Sequence, residues 1–132
     1  MTNAPVIDRE TIVMLCEMDA MTTGDNLLLE LIDDFLTYSA DLVKGIQLSL
    51  QMDTTVELAD QSHSLKGASL NIGALALFQV CDTIETLARQ HQHMSVDYWV
   101  TELDNAYQQT ALALAELHRR TSRGETIDDL LG

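Results

Sequence analysis

The stretch QSHSLKGASLNIGA, residues 61–74, holds a histidine, a lysine three positions on and a glycine four positions on. In a helix, residues three and four apart share a face, so His63, Lys66 and Gly67 are neighbours. A solvated imidazole is largely uncharged at neutral pH and offers a nitrogen lone pair, so His63 can act as a nucleophile. Lys66, one turn away, supplies positive charge for an incoming phosphoryl group. No acid–base relay is built around the ring, which suits a passive acceptor better than a self-sufficient enzyme. Gly67 costs the helix about 1 kcal/mol against alanine. In return it lets another body approach the imidazole closely.

The face that carries His63 follows from spacing at about 100° per residue. Leu58, Leu65 and Ile72 define the core stripe of this helix, flanked by the small residues Ser62, Ala68 and Ser69. His63 points almost directly away from that stripe, so it is expected to be exposed. Its companions on the outer face are Val56, Ala59, Asp60, Lys66, Gly67 and Leu70. A solvated helix face normally carries long polar side chains. Here Val56, Ala59 and Leu70, with Asp60 beside them, form a small docking patch. The plainer reading makes His63 an ordinary surface residue and Gly67 a neutral accident. Lys66 would then pair with Asp60 or another acidic neighbour.

A series of amphipathic segments must position this face. Asp8 caps a short helix to about Met18, with Ile12, Leu15 and Cys16 facing inward. DAMTTGD is a turn. A long second helix runs from about Asp25 to Met52 on the stripe Leu28, Leu31, Ile32, Phe35, Leu42, Ile46 and Ser49 or Leu50, with Gly45 a mild flaw. Asp53 or Thr54 caps the third helix, which stops at about Ile72 beside Asn71 and Gly73. The fourth covers about Ala74 to His93, with Leu77, Cys81, Ile84, Leu87 and Ala88 inward. Ser95 or Asp97 caps a fifth, from about Tyr98 to Arg119, through Leu103, Ala106, Tyr107, Thr110, Leu114 and Leu117. Four long helices joined by short turns favour an all-α, antiparallel up-down four-helix bundle, with the short N-terminal helix capping one end. The expected domain spans 1–120, and 121–132 form a polar, acidic, flexible tail.

Composition narrows the partners. Only 6 Gly, 1 Pro and 5% aromatic residues favour helix over sheet. A chain of 132 residues suits one domain and buries a core without staples. Cys16 and Cys81 have no metal or redox spacing and read as reduced core residues of a cytosolic protein. Seven basic against twenty-one acidic residues give a net charge of −14 with no basic stripe. Nucleic acid and anionic membrane are disfavoured as direct partners. No apolar run approaches the roughly 18 residues of a membrane span, and MTNAPVIDRE lacks a signal-peptide pattern. The expectation is a soluble, cytoplasmic monomer.

HSLKGASLNIG resembles the signature of histidine-containing phosphotransfer (HPt) domains: a helical His-x-Leu-Lys-Gly, a small residue or two, then glycine. His63, Lys66, Gly67, Ser69 and Gly73 stand in register. Upstream, ELIDDFLTYSADLVKGIQLSLQMDTTVELADQSH resembles the family's preceding helix. Downstream, CDTIETLAR resembles the helix beside the site. The resemblance covers about residues 8–115, and only 60–74 is highly specific. Ser62 stands where the family often has alanine, and Glu85 falls where some members carry a glutamine near the imidazole. By its own residue type Glu85 reads as core edge or surface first; facing the ring, it would orient it.

The resemblance implies a four-helix bundle with an exposed histidine that serves as a phosphorelay intermediate. His63 would accept a phosphoryl group from a receiver-domain aspartate and pass it to another receiver's aspartate. The receivers, on response regulators or hybrid histidine kinases, would bring Mg²⁺ and the acidic pocket. The bundle would bring the nucleophile, Lys66 and a docking surface, relying on positioning and charge neutralisation. It would have no cofactor of its own and no independent catalysis.

Two rival readings have specific weaknesses. Asp60 and His63 are an i, i+3 carboxylate–imidazole pair, but a ferritin-like metal site needs two Glu-x-x-His copies and two more carboxylates, all pointing inward. This pair is single and faces outward, and His91 and His93 lie on opposite helix sides. A pure interaction module would use the apolar outer patch, yet the histidine, lysine and glycine are all present.

Overall fold

The three-and-four spacing of apolar residues becomes a core shared by five helices in the computed structural model, which describes residues 5–21 and 26–125. They are α1 (Arg9–Met21), α2 (Leu27–Met52), α3 (Thr55–Ile72), α4 (Leu75–Arg89) and α5 (Val96–Ser122). The described residues are all-α. In the bundle, α3 packs between α2 and α4, and α5 closes against the same two helices. α1 lies against α2 and α3. Ile12, Leu28, Ile32, Ile46, Leu65, Leu77, Ile84, Leu103 and Leu114 are fully buried. Leu31, Leu42 and Tyr107 sit half-buried at the edge. Cys81 is in the core, where burial pushes its thiol up to about 12, whereas Cys16 is only half-buried. No helix among the described residues is long and apolar enough to cross a membrane.

Helix ends depart from the expected ones for identifiable reasons. α1 continues past Met18 to Met21. Asp19, near its end, accepts the Leu27 N–H and, at 3.1 Å, the Leu28 N–H. This carboxylate satisfies two orphan donors of α2, which starts at Leu27 rather than Asp25. The expected turn DAMTTGD is therefore helical through Met21, and residues 22–25 lie outside the described ones. Asp53 is left-handed (φ 55°) and ends α2, so Thr54 holds the N-cap position of α3, without a side-chain cap bond.

α4 stops at Arg89, short of His93. His91 is left-handed (φ 53°). Its N–H donates to Ala88 O at 3.1 Å, and the Gln92 N–H donates to Leu87 O at 3.0 Å, a C-terminal motif more often built on glycine. His91 and His93 thus lie in the connection, not on the helix. The Ser95 hydroxyl accepts the Tyr98 N–H at 3.4 Å, and α5 runs on to Ser122, so the start of the expected tail is helical. Residues 126–132 of that tail lie outside the described ones.

Two glycines have local reasons. A Cβ at Gly45 would lie 2.7 Å from the end of the Gln61 side chain, so a larger residue there would make this α3 glutamine swing aside. Gly73 is left-handed (φ 77°), and a Cβ there would meet Thr11 Cβ at 2.9 Å. Its carbonyl also accepts the Asp8 N–H at 2.7 Å, which ties the start of α1 to the end of α3.

Candidate functional site

His63 stands on the solvent side of α3, with its side chain 64% exposed. Its Nδ1 lies 3.0 Å from Glu85 Oε2 on α4. Glu85 is buried, with 7% of its side chain exposed. The structure therefore brings to the ring a residue that its type placed at the core edge or surface. The signal was there in spacing, since Cys81, Ile84 and Ala88 are buried on α4 and position 85 falls on the same side.

Three groups hold this carboxylate. Lys66 Nζ reaches across from α3 to within 2.7 Å of Glu85 Oε1 and 3.4 Å of Asp82 Oδ1. It pairs with α4 rather than with Asp60. Arg89 Nε and Nη2 each lie 2.8 Å from Glu85 Oε2. Sequence reasoning missed Arg89, although the i, i+4 spacing to Glu85 was available. Burial pushes the Glu85 carboxyl up, but the hydrogen bonds from Lys66 and Arg89 overcome this and hold it below the usual carboxylate range. The hydrogen bond to Glu85 in turn holds the Lys66 ammonium above its ordinary value.

An ionised carboxylate only accepts hydrogen bonds, so the His63 nitrogen facing it carries the proton. Nδ1–H donates to Glu85, and Nε2 is the nitrogen turned away from the carboxylate on an exposed ring. Beside it, a Cβ added at Gly67 would meet nothing within 4 Å. The missing side chain serves no packing inside the bundle; it leaves clear space next to the imidazole.

The Hpt domain family matches residues 30–113, more than half of the chain. This chain belongs to that family. The fold of this Hpt domain is similar to the crystal structure of histidine-containing phosphotransfer protein B (HptB) from Pseudomonas aeruginosa PAO1, with a TM-score of 0.78 and 23% identity. The alignment covers 89% of this chain and 98% of that one. Among curated protein sequences, no significant match is found. Hpt domains are phosphoryl carriers in two-component phosphorelays, and this chain carries that histidine phosphotransfer role.

The outer face of this Hpt domain differs from the expected patch in one member. Ala59 is only 4% exposed, because its side of α3 turns toward α4; it lines a groove there with Ala88, Arg89 and His91. Val56 and Leu70 are 69% and 53% exposed, and Asp60 is exposed. At 1.5 Å rise per residue the two apolar side chains stand about 21 Å apart along the axis. They flank His63 instead of forming one continuous patch. Among the described residues, no group of three or more His, Cys, Asp or Glu is placed to hold a metal ion.

Lys66→Ala tests the lysine. Glu85 keeps Arg89, so circular dichroism and melting temperature should change little. One charge-assisted contact to a phosphoryl oxygen contributes about 1.5–3 kcal/mol, or roughly ten- to hundred-fold in transfer rate if formed in the transition state. Wild-type transfer kinetics in the mutant would reduce Lys66 to a partner of Glu85 and Asp82.

Proposed function

We propose that His63 is the phosphoacceptor of this Hpt domain, an intermediate that passes phosphoryl groups between receiver domains. The observation that carries the reading is the exposed ring with Nδ1 held by a buried, ionised carboxylate. Nε2 attacks the phosphorus of a receiver's aspartyl phosphate. The Nε2–P bond forms as the P–O bond breaks, and the electron pair leaves on the receiver's carboxylate. In the second half-reaction another receiver's aspartate attacks the phosphorus. Glu85 fixes ring orientation and tautomer, Lys66 offsets phosphoryl charge, and Gly67 leaves the approach open. Val56, Asp60 and Leu70 border the docking face, with Ala59 beneath it. Such transfer rests on alignment and charge neutralisation rather than on a catalytic base, so the domain needs no catalysis of its own; we read it as a cytoplasmic monomer.

Mg²⁺ belongs to the receiver in this scheme. Beside His63 on α3, Asp60 is a single carboxylate, and the nearby Lys66 opposes a cation. Magnesium ions favour carboxylates and phosphates in octahedral sets. The deciding experiment incubates the protein with phosphorylated receivers and Mg²⁺ and follows label onto His63. Titrating Mg²⁺ into the isolated chain should reveal no site tighter than about millimolar. A micromolar site using His63 or Asp60 would favour a metalloprotein instead.

A further inference from the structure

The hydrogen bond from Nδ1 orients the ring, but a neutral amide could accept that bond equally well. What Glu85 adds is charge, and charge matters most once the ring is phosphorylated. With phosphorus on Nε2 and hydrogen on Nδ1, the imidazole is a cation. We propose that the Glu85 carboxylate keeps the Nδ1 proton on His63 through both transfers, holding the phosphorylated ring as the imidazolium. This rests on His63 being the acceptor.

The geometry favours the cation. An opposite charge within about 4–6 Å favours the charged form of a titratable group. Glu85 Oε2 lies 3.0 Å from Nδ1, on a side chain only 7% exposed. The charged and titratable groups facing the pair come from α3 and α4. Lys66 and Arg89 both contact Glu85. Lys66 shares its charge with Asp82, and Arg89 is half-exposed, where solvent screens it. Asp60, one turn before His63 on α3, adds negative charge. The Cys81 thiol, pushed up to about 12 by burial, stays neutral.

The consequence is in the leaving group. When an acceptor carboxylate attacks phosphorus, the Nε2–P bond breaks and its electron pair returns to Nε2. A ring that has kept Nδ1–H departs as neutral imidazole, and no proton has to be delivered. A ring that had lost it would depart as an imidazolate anion, a much poorer leaving group. Glu85 is thus a positioning residue that makes the relay insensitive to rising pH. The same activation opens the P–N bond to water, so the phosphoryl group is held for passage rather than storage.

The test compares wild type, Glu85→Gln and Glu85→Asp, each phosphorylated from a receiver, between about pH 6 and pH 10. Two rates are read: hydrolysis of the isolated phosphoprotein, and onward transfer relative to wild type at each pH, which cancels the receiver's own titration. Wild type and Glu85→Asp should hydrolyse at nearly constant rate to about pH 9. Glu85→Gln should lose about tenfold per pH unit once its ring deprotonates, reaching at least about tenfold slower hydrolysis and transfer at pH 9. Nitrogen NMR of the phosphohistidine should show Nδ1 protonated at pH 9 in wild type and deprotonated in Glu85→Gln, a difference that a merely structural role would not produce. Superimposable profiles in phosphorylated wild type and Glu85→Gln overturn the proposal, as does a Glu85→Asp profile that follows the glutamine variant. Absence of label from His63 in wild type overturns the acceptor assignment itself.

Discussion

His63→Gln should abolish phosphoryl uptake and leave the fold intact. The ring is exposed on α3 and makes one hydrogen bond, to Glu85. That carboxylate still keeps Lys66 and Arg89 after the substitution. Changes at such surface positions usually cost under about 0.5 kcal/mol, so helical circular dichroism and melting temperature should stay near wild type. The signature surrounds His63 alone, so no other histidine should substitute. His91 is held left-handed in the α4–α5 connection, where His93 also lies, and His118 pairs with Asp33 at 3.1 Å. Label on denatured wild-type protein should behave as a phosphoramidate, lost in acid and stable in alkali. Label surviving on the mutant would sink the assignment.

Gly67→Gln should separate folding from function at a second position. Since a Cβ at 67 meets open space, nothing inside the bundle resists a side chain. Alanine there should stabilise the helix by about 1 kcal/mol on propensity alone, and glutamine by nearly as much. A glutamine would nonetheless extend into the volume where the receiver's pocket must close over the imidazole. Transfer needs reacting atoms within about 3–3.5 Å, and a displacement of 1 Å costs on the order of a hundred-fold. The expected result is a well-folded protein whose transfer from a receiver is slowed about a hundred-fold or more. An unfolded mutant would assign Gly67 to backbone geometry; normal transfer would remove the space beside His63 from the docking path.

Periodicity carried the architecture because the apolar stripes of α2 and α5 extend over many turns. It also put His63 on the outside, since that depends only on angles within α3. What lay between elements was harder to read. The burial of Ala59 depends on where α4 sits around α3, which no pattern in α3 encodes. Glu85 read ambiguously because carboxylates are rarely buried unless paired, and its partners Lys66 and Arg89 come from two helices. The end of α4 was missed because its left-handed position fell on His91 instead of glycine. The cap of α2 was invisible locally because Asp19 belongs to the preceding helix.

The bond from the Asp8 N–H to the Gly73 carbonyl bears on where this unit could be trimmed. Ile72, where α3 ends, is nine positions from His63, about 14 Å along one stiff rod. The far end of that rod is moored by α1, and α1 lies wholly outside residues 30–113, the part that matches the family. An excision at those bounds would discard the mooring with the buried Ile12 and Leu15, and would also cut away Leu28, Leu114 and Leu117 from the core. The residues that make the chain recognisable are thus fewer than those that hold its acceptor still.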